Sequence, residues 1–112
     1  MTKLTTHVLN TMTGLPASGL VCKLYSLQGG ESFIKEACTN DDGRVDTPLL
    51  EGTAFNAGAY RIVFYAGEYL KDKGGSDFLD TIPIDFRITD TQRHHHVPLL
   101  LSAYGYSTYR GS

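Results

Sequence analysis

Residues 81 to 89 of the chain read Thr81-Ile82-Pro83-Ile84-Asp85-Phe86-Arg87-Ile88-Thr89. Apolar side chains occupy every second position of this segment, and polar side chains or proline occupy the positions between them. Because successive side chains of a β-strand point to opposite faces, the alternation predicts a strand with one buried face. Pro83 lacks the backbone N–H that a central strand donates, so we expect an edge strand or a strand start here.

Segments of similar character lie on both sides of this one. They cover residues 4–9, 20–27, 32–39 and 59–66 before it, and a hairpin of residues 94–102 and 104–109 after it. Glycine, asparagine, aspartate and proline separate these segments, and residues 67–73 favour one short helix. About seven or eight short strands with one helix predict an all-β protein, either a sandwich or a barrel.

Length and composition indicate one globular domain spanning residues 1–112, with 41% hydrophobic and 20% charged residues. A formal net charge of −2 without a basic stripe gives no reason to expect nucleic acid as a partner. No apolar run approaches the roughly 20 residues that cross a bilayer, so no membrane partner is expected. The first residues lack the apolar region of a secretory signal, which favours a cytoplasmic protein, or a periplasmic one if such a signal has been removed.

The chain has two cysteines, Cys22 and Cys38. Two are too few for a disulfide scaffold, and their spacing matches no common zinc motif. Two buried or half-buried thiols are the simplest expectation, and a disulfide stays open if the two segments pair side by side.

Four histidines could carry chemistry, at positions 7, 94, 95 and 96. In a strand, His94 and His96 share one face, with Cα atoms about 6.6 Å apart, and His95 points to the other. Three interpretations follow. The first is a metal site of His94, His96 and His7; the second is general acid–base chemistry; the third is structural. The metal site requires the first strand to lie beside the segment of residues 94–102.

Arg44 follows the turn of residues 40–43, which is the strongest turn signal in the chain. It is either a solvated surface residue or a planar donor that faces a carbonyl-rich or anionic ligand. The last fifteen residues are rich in leucine and tyrosine, whereas chain ends are usually polar. This composition predicts that the end of the chain forms a core or interface strand.

Three separated motifs resemble one known family, the 5-hydroxyisourate hydrolases of the transthyretin-like family. The opening, middle and closing motifs match in order, in residues 4–9 with 14–17, residues 39–44, and residues 94–102 with 104–112. The final Tyr109-Arg110-Gly111-Ser112 resembles the signature of the hydrolase branch. Asn10, His95 and Ala103 stand where the family commonly has Asp, Tyr and Pro. Because the run of three histidines is therefore not a feature of the family, the metal interpretation is weakened.

The resemblance implies a two-sheet β-sandwich of about eight strands, with one short helix after the fifth. It implies a homotetramer, a dimer of dimers, with active sites in a channel lined by the first and last strands. The substrate would be 5-hydroxyisourate, hydrolysed to 2-oxo-4-hydroxy-4-carboxy-5-ureidoimidazoline on the route to allantoin. No metal and no organic cofactor are implied.

The resemblance also implies the site residues. His7, Arg44, His96 and Ser112 would be catalytic, and His7, Arg44 and Tyr109 would bind the substrate. His7 or His96 would activate water, and the sequence does not rank the two. The alternative function is a carrier of small apolar ligands, because transthyretin itself carries hormones on this fold. The polar residues at the site favour the enzyme over the carrier.

Overall fold

The computed structural model describes residues 2–73, 75 and 77–111. Within these residues it has nine strands, one α-helix (α1) and one 3₁₀ turn. The strands are β1 (Lys3–Asn10), β2 (Leu15–Pro16), β3 (Val21–Ser26), β4 (Ser32–Cys38), β5 (Leu50–Glu51), β6 (Gly58–Phe64), β7 (Ile82–Ile88), β8 (His95–Leu101) and β9 (Tyr106–Thr108). The 3₁₀ turn covers Gly52–Ala54, and α1 covers Ala66–Asp72.

The strands form two sheets. The first sheet has the order β2-β1-β8-β9, with β5 also paired to β1, and the second has the order β4-β3-β6-β7. The β1–β8 pair is parallel and the other strand pairs are antiparallel. The all-β sandwich expected from the sequence is thereby confirmed, and β7, which contains Pro83, lies at a sheet edge as predicted.

The core lies between the sheets, where the period-two patterns of the strands meet. In β1, residues at even positions are buried and those at odd positions are half-buried. Leu4 and Val8 of β1 contribute to a core that also contains Leu24 of β3 and Ile62 and Phe64 of β6, all with no exposed surface. Full burial of such a side chain contributes roughly 1.5–3 kcal/mol, so the alternation fixes which face of each strand turns inward.

Two very short strands account for the difference from the expected strand count. β2 and β5 have two residues each, and α1 follows the sixth strand rather than the fifth. β2 pairs with residues 9 and 10 of β1, and β5 pairs with residues 3 and 4. Because β8 occupies the other side of β1, both short strands lie along the same edge. A two-residue strand has no alternation for a sequence pattern to show.

The two cysteines do not pair. Cys22 is buried and Cys38 is exposed, and both are free thiols. Their strands are neighbours, but Cys38 lies opposite Val21, one position from Cys22, so the two side chains point to opposite faces. Burial, with smaller contributions from Cys38 and Glu36, raises the pKa of Cys22 to about 12, which leaves this thiol unreactive.

None of the helices in the described part of the chain combines the length and the apolar character needed to cross a bilayer.

Candidate active site on the outer face of the first sheet

The parallel pairing of β1 and β8 brings His7 and His96 to one surface. Thr5 lies opposite His96 and His7 lies opposite Pro98. The odd positions of β1 and the even positions of β8 point away from the core, onto what we call the outer face of the first sheet. His7 and His96 are both half-buried there. A site that contains both histidines requires β1 and β8 to be neighbours, and the structure pairs them.

A tight turn places Arg44 on the same surface. The side-chain oxygen of Asn40 accepts hydrogen bonds from the backbone N–H groups of Asp42 at 2.9 Å and Arg44 at 3.2 Å. Arg44 then forms an isolated antiparallel bridge with His7, at the edge of β1 that also pairs with β2 and β5. The Arg44 side chain is exposed, and among the described residues no carboxylate forms an ion pair with it. Its guanidinium is thus available to a ligand.

Gly43 holds this turn against β1. Its φ of +74° is in the left-handed region, and its carbonyl accepts the N–H of Val8 at 2.8 Å. A Cβ at this position would collide with the carbonyl oxygen of Val8 and come within 3.1 Å of the Cβ of Pro16. Only glycine satisfies both the backbone angle and the close approach.

We expect Gly43→Ala to destabilise the fold by more than the roughly 1–3 kcal/mol that a left-handed φ alone costs. The matched control is Gly14→Ala, because Gly14 has a φ of +77° and no atom within 4 Å of the added Cβ. Urea unfolding of both variants separates the cost of the angle from the cost of the collision. Equal losses of unfolding free energy would show that the turn simply moves away from β1.

The end of the chain continues along β8 beyond β9. Leu99 pairs with Thr108, and the N–H of Gly111 donates to the carbonyl of His96 at 2.8 Å. This register places Tyr109 opposite Pro98, in the same cross-strand row as His7. A Cβ on Gly111 would lie 2.5 Å from Cδ2 of His96, so the absence of a side chain lets the imidazole pack on the tail. The Ser112 proposed as catalytic lies outside the described residues.

The surroundings of His96 favour its neutral form. Its pKa is lowered from the ordinary 6.5, first by burial and then by the charges of Arg44, His7 and His94. The register of β1 with β8 and the bridge between His7 and Arg44 bring these two residues to the same face as His96. A neutral imidazole near neutral pH can accept a proton, which is the state that general base catalysis requires.

With His96 as the general base proposed below, this shift predicts an acid limb of kcat/KM below pH 6.5, because His96 would have to lose its proton to act and does so at a lower pH than free histidine. The linked effect on stability has the same direction. With the folded pKa below the unfolded one, the neutral ring stabilises the fold above pH 6.5, and this contribution is lost as the pH falls through the folded pKa. Measurement of kcat/KM between about pH 5 and 8 tests this acid limb. Arg44→Gln removes a positive charge that lowers the pKa of His96, so it should move the limb to higher pH. A limb above the ordinary histidine value would contradict the assignment.

The other two histidines of the triple run have different surroundings, as the strand alternation predicted. His95 is buried, with its ring 5.7 Å from that of Phe55 and its Nδ1 3.1 Å from the Arg93 carbonyl. His94 is exposed, and its ring stacks on that of His96 at 6.5 Å between centroids.

No group of three or more metal-ligating side chains with suitable geometry occurs in residues 2–73, 75 and 77–111.

Thr5 contacts two of the histidines, and no pattern in the sequence singles it out. Its hydroxyl lies 2.8 Å from Nδ1 of His96 and 3.2 Å from Nε2 of His94. The one available signal was its place two residues before His7, which puts both on the same face of a strand. A threonine in a strand is too common for that signal to single it out.

In a single chain His7 and Arg44 lie on an open face, whereas His96 and Tyr109 also line a cavity of about 280 Å³ between β7 and the end of the chain. Arg44, His94 and Tyr109 are exposed, and His7 and His96 are half-buried. A cavity of about 490 Å³ lies elsewhere, beside α1 and the outer face of the second sheet, where Lys23 and Glu68 line it. The chemistry-bearing residues therefore need a further surface to enclose a ligand.

The two sheets with this strand order form a β-sandwich of the transthyretin-like class. The chain belongs to the HIUase/Transthyretin family, whose family model matches residues 4–111.

Known proteins of this family are similar along nearly the whole chain. A "5-hydroxyisourate hydrolase 2" of Rhizobium meliloti (strain 1021) is 52% identical, over 98% of this chain and 96% of that protein. A crystal structure of (S)-allantoin synthase matches with a TM-score of 0.92 and 44% identity, over 98% of this chain but only 43% of that longer one. Sea bream transthyretin in complex with thyroxine matches with a TM-score of 0.90 and 27% identity, over 97% and 94% of the two chains.

Proposed function

We propose that this protein is a 5-hydroxyisourate hydrolase, which opens its cyclic substrate with water to give 2-oxo-4-hydroxy-4-carboxy-5-ureidoimidazoline. The observation that carries the proposal is the convergence of His7, His96 and Arg44 on one sheet face. Two imidazoles and a free guanidinium are the groups that hydrolysis of a cyclic amide needs, and a relative with 52% identity is named for that activity.

His96 is the proposed general base. It is the histidine whose pKa is lowered by burial and by neighbouring positive charge, so its ring is neutral when the substrate arrives. Its Nδ1 faces Thr5 at 2.8 Å, which leaves Nε2 to take a proton from the attacking water. General base catalysis of this kind contributes typically 10²–10⁴ in rate.

His7 and Arg44 act on the substrate beside His96. His7 orients the water, since it lies one cross-strand row from His96 on the same face. Arg44 binds the carbonyl edge of the ring and stabilises the negative charge that develops on the oxygen under attack. Tyr109, placed by register in the row of His7, contributes a hydroxyl to substrate binding, and Ser112 is proposed to complete the pocket.

The enclosing surface is proposed to come from other copies of the chain, in a homotetramer built as a dimer of dimers. The support is the open geometry of the site, because exposed Arg44 and Tyr109 flank it without covering it. Sedimentation analysis at the concentrations used for activity tests this, and a fully active monomer would refute it.

The function is tested by a stopped-flow ultraviolet assay in which urate and a urate oxidase generate 5-hydroxyisourate. The protein should accelerate the decay of this intermediate, and heat-denatured protein should not. If the native protein binds the intermediate without accelerating its decay, the carrier function is favoured. If the protein neither accelerates the decay nor binds the intermediate, the proposal is refuted.

A further inference from the structure

The hydroxyl of Thr5 connects two imidazoles on the outer face. It lies 2.8 Å from Nδ1 of His96 and 3.2 Å from Nε2 of His94, both within hydrogen-bond distance. A hydroxyl has one proton to donate, so it cannot donate to both rings at once. When it donates to one imidazole it must accept an N–H from the other, and the two rings are locked in complementary tautomers.

With Thr5 donating to one ring and accepting from the other, two states of the three groups are possible. In the first, His96 donates from Nδ1 to Thr5, Thr5 donates to His94, and Nε2 of His96 has a free electron pair and acts as a base. In the second, His94 donates from Nε2 to Thr5, Thr5 donates to Nδ1 of His96, and Nε2 of His96 carries a proton and acts as an acid. When Nε2 of His96 takes up a proton, a shift of one proton along each of the two hydrogen bonds converts the first state into the second and leaves the added positive charge on His94.

We propose that Thr5 and His94 are positioning residues that set the tautomer of His96. Through a two-step proton relay by way of Thr5, His94 takes up the positive charge that His96 would otherwise hold. The proposal rests on the hydrolase function proposed above. It assigns a role to two residues outside the set of His7, Arg44, His96, Tyr109 and Ser112.

The proton transfers balance for the hydrolysis. The water oxygen bonds to the ring carbonyl carbon while its proton moves to Nε2 of His96. The Nδ1 proton of His96 passes to Thr5, whose own proton passes to Nε2 of His94, so the charge arrives on His94. When the C–N bond breaks, its electron pair stays on the nitrogen. That nitrogen takes the Nε2 proton of His96, and the two relay protons return.

The surroundings of the two rings favour this transfer. His96 is half-buried and lies near the positive charge of Arg44, whereas His94 is exposed to solvent that stabilises a cation. The rings are held nearly parallel, at 15° and 6.5 Å between centroids, so the relay needs no large movement. His96 can thus serve as base and then as acid without holding a full charge beside Arg44.

Variants at Thr5 and His94 separate positioning from packing. Thr5→Val keeps the shape and removes the hydroxyl, and Thr5→Ser keeps the hydroxyl. His94→Gln keeps a hydrogen-bond acceptor for Thr5 but cannot take up a proton. Arg93→Gln is the matched control, because it changes an exposed polar residue adjacent to His94.

We expect Thr5→Val and His94→Gln each to lower kcat by about tenfold or more with little change in KM, as loss of part of a general base effect would do. Thr5→Ser and Arg93→Gln should stay within about twofold of the parent protein. In ¹⁵N NMR of the imidazoles, His96 should be the Nδ1–H tautomer in the parent protein and in Thr5→Ser. It should become a mixture of tautomers in Thr5→Val.

Unchanged kcat together with an unchanged His96 tautomer in Thr5→Val would overturn the proposal. So would a rise in KM alone, which would indicate substrate contact instead of positioning. If the parent protein does not hydrolyse 5-hydroxyisourate, the proposed function fails separately. The tautomer of His96 in Thr5→Val and Thr5→Ser still decides whether Thr5 positions the ring.

Discussion

Replacing His96 with asparagine should lower kcat by roughly 10²–10⁴, the range that removal of a positioned general base produces. Asparagine keeps a side chain of similar width that can still contact the tail at Gly111, but it cannot accept the proton of water. KM should change little, because the base acts mainly as the transition state forms. Single-turnover decay of 5-hydroxyisourate under saturating protein measures the rate constant of the chemical step apart from product release, and steady-state assays measure kcat.

His7→Asn provides the comparison for this result. If His7 orients the water that His96 deprotonates, the two substitutions act on one step and their effects are less than additive in the double variant. Circular dichroism and thermal unfolding of each variant check that the sheet is intact. Wild-type turnover by a folded His96→Asn protein would remove His96 from the mechanism and leave His7 as the base.

Replacing Arg44 with glutamine should lower kcat/KM by about 10²–10³, because a preorganised donor aimed at a developing oxyanion contributes on this scale. Arg44→Lys should recover only part of the activity, since an ammonium cannot reproduce the planar pair of donors. If the guanidinium both binds the substrate and stabilises charge in the transition state, the substitution should raise KM and also lower kcat.

Lys71→Gln is the control for charge, because Lys71 is an exposed cationic residue on α1. Its activity should match that of the parent protein. Equal losses in Arg44→Gln and Lys71→Gln would indicate a general effect of net charge on substrate attraction. In that case Arg44 would have no specific place in the site.

Local patterns account for most of the fold that the sequence predicted. The alternation in residues 59–66 and 81–89 predicted β6 and β7 because burial of one strand face is encoded in consecutive residues. The two-residue strands β2 and β5 were not predicted, since pairing to an existing edge defines them and no periodicity does.

The candidate site was predicted residue by residue but not as an arrangement. His7, Arg44 and His96 came from chemistry and family resemblance, and the structure places them on one face. The contact of Thr5 with His96 depends on the register between strands 91 positions apart, which no local pattern specifies. The close packing of Gly111 on His96 likewise depends on where the tail crosses β8.

The parallel β1–β8 pair has a consequence for how the protein becomes active. It joins residues 3–10 to residues 95–101, so the face that holds both histidines forms only when distant parts of the chain meet. Such nonlocal contacts carry a high loop-closure entropy and form slowly compared with hairpins such as β6–β7. During synthesis the first strand can pair with the last only when the whole chain has been made, so the proposed site cannot form in the first half of the chain alone. Hydrolysis is therefore a direct report of completed folding.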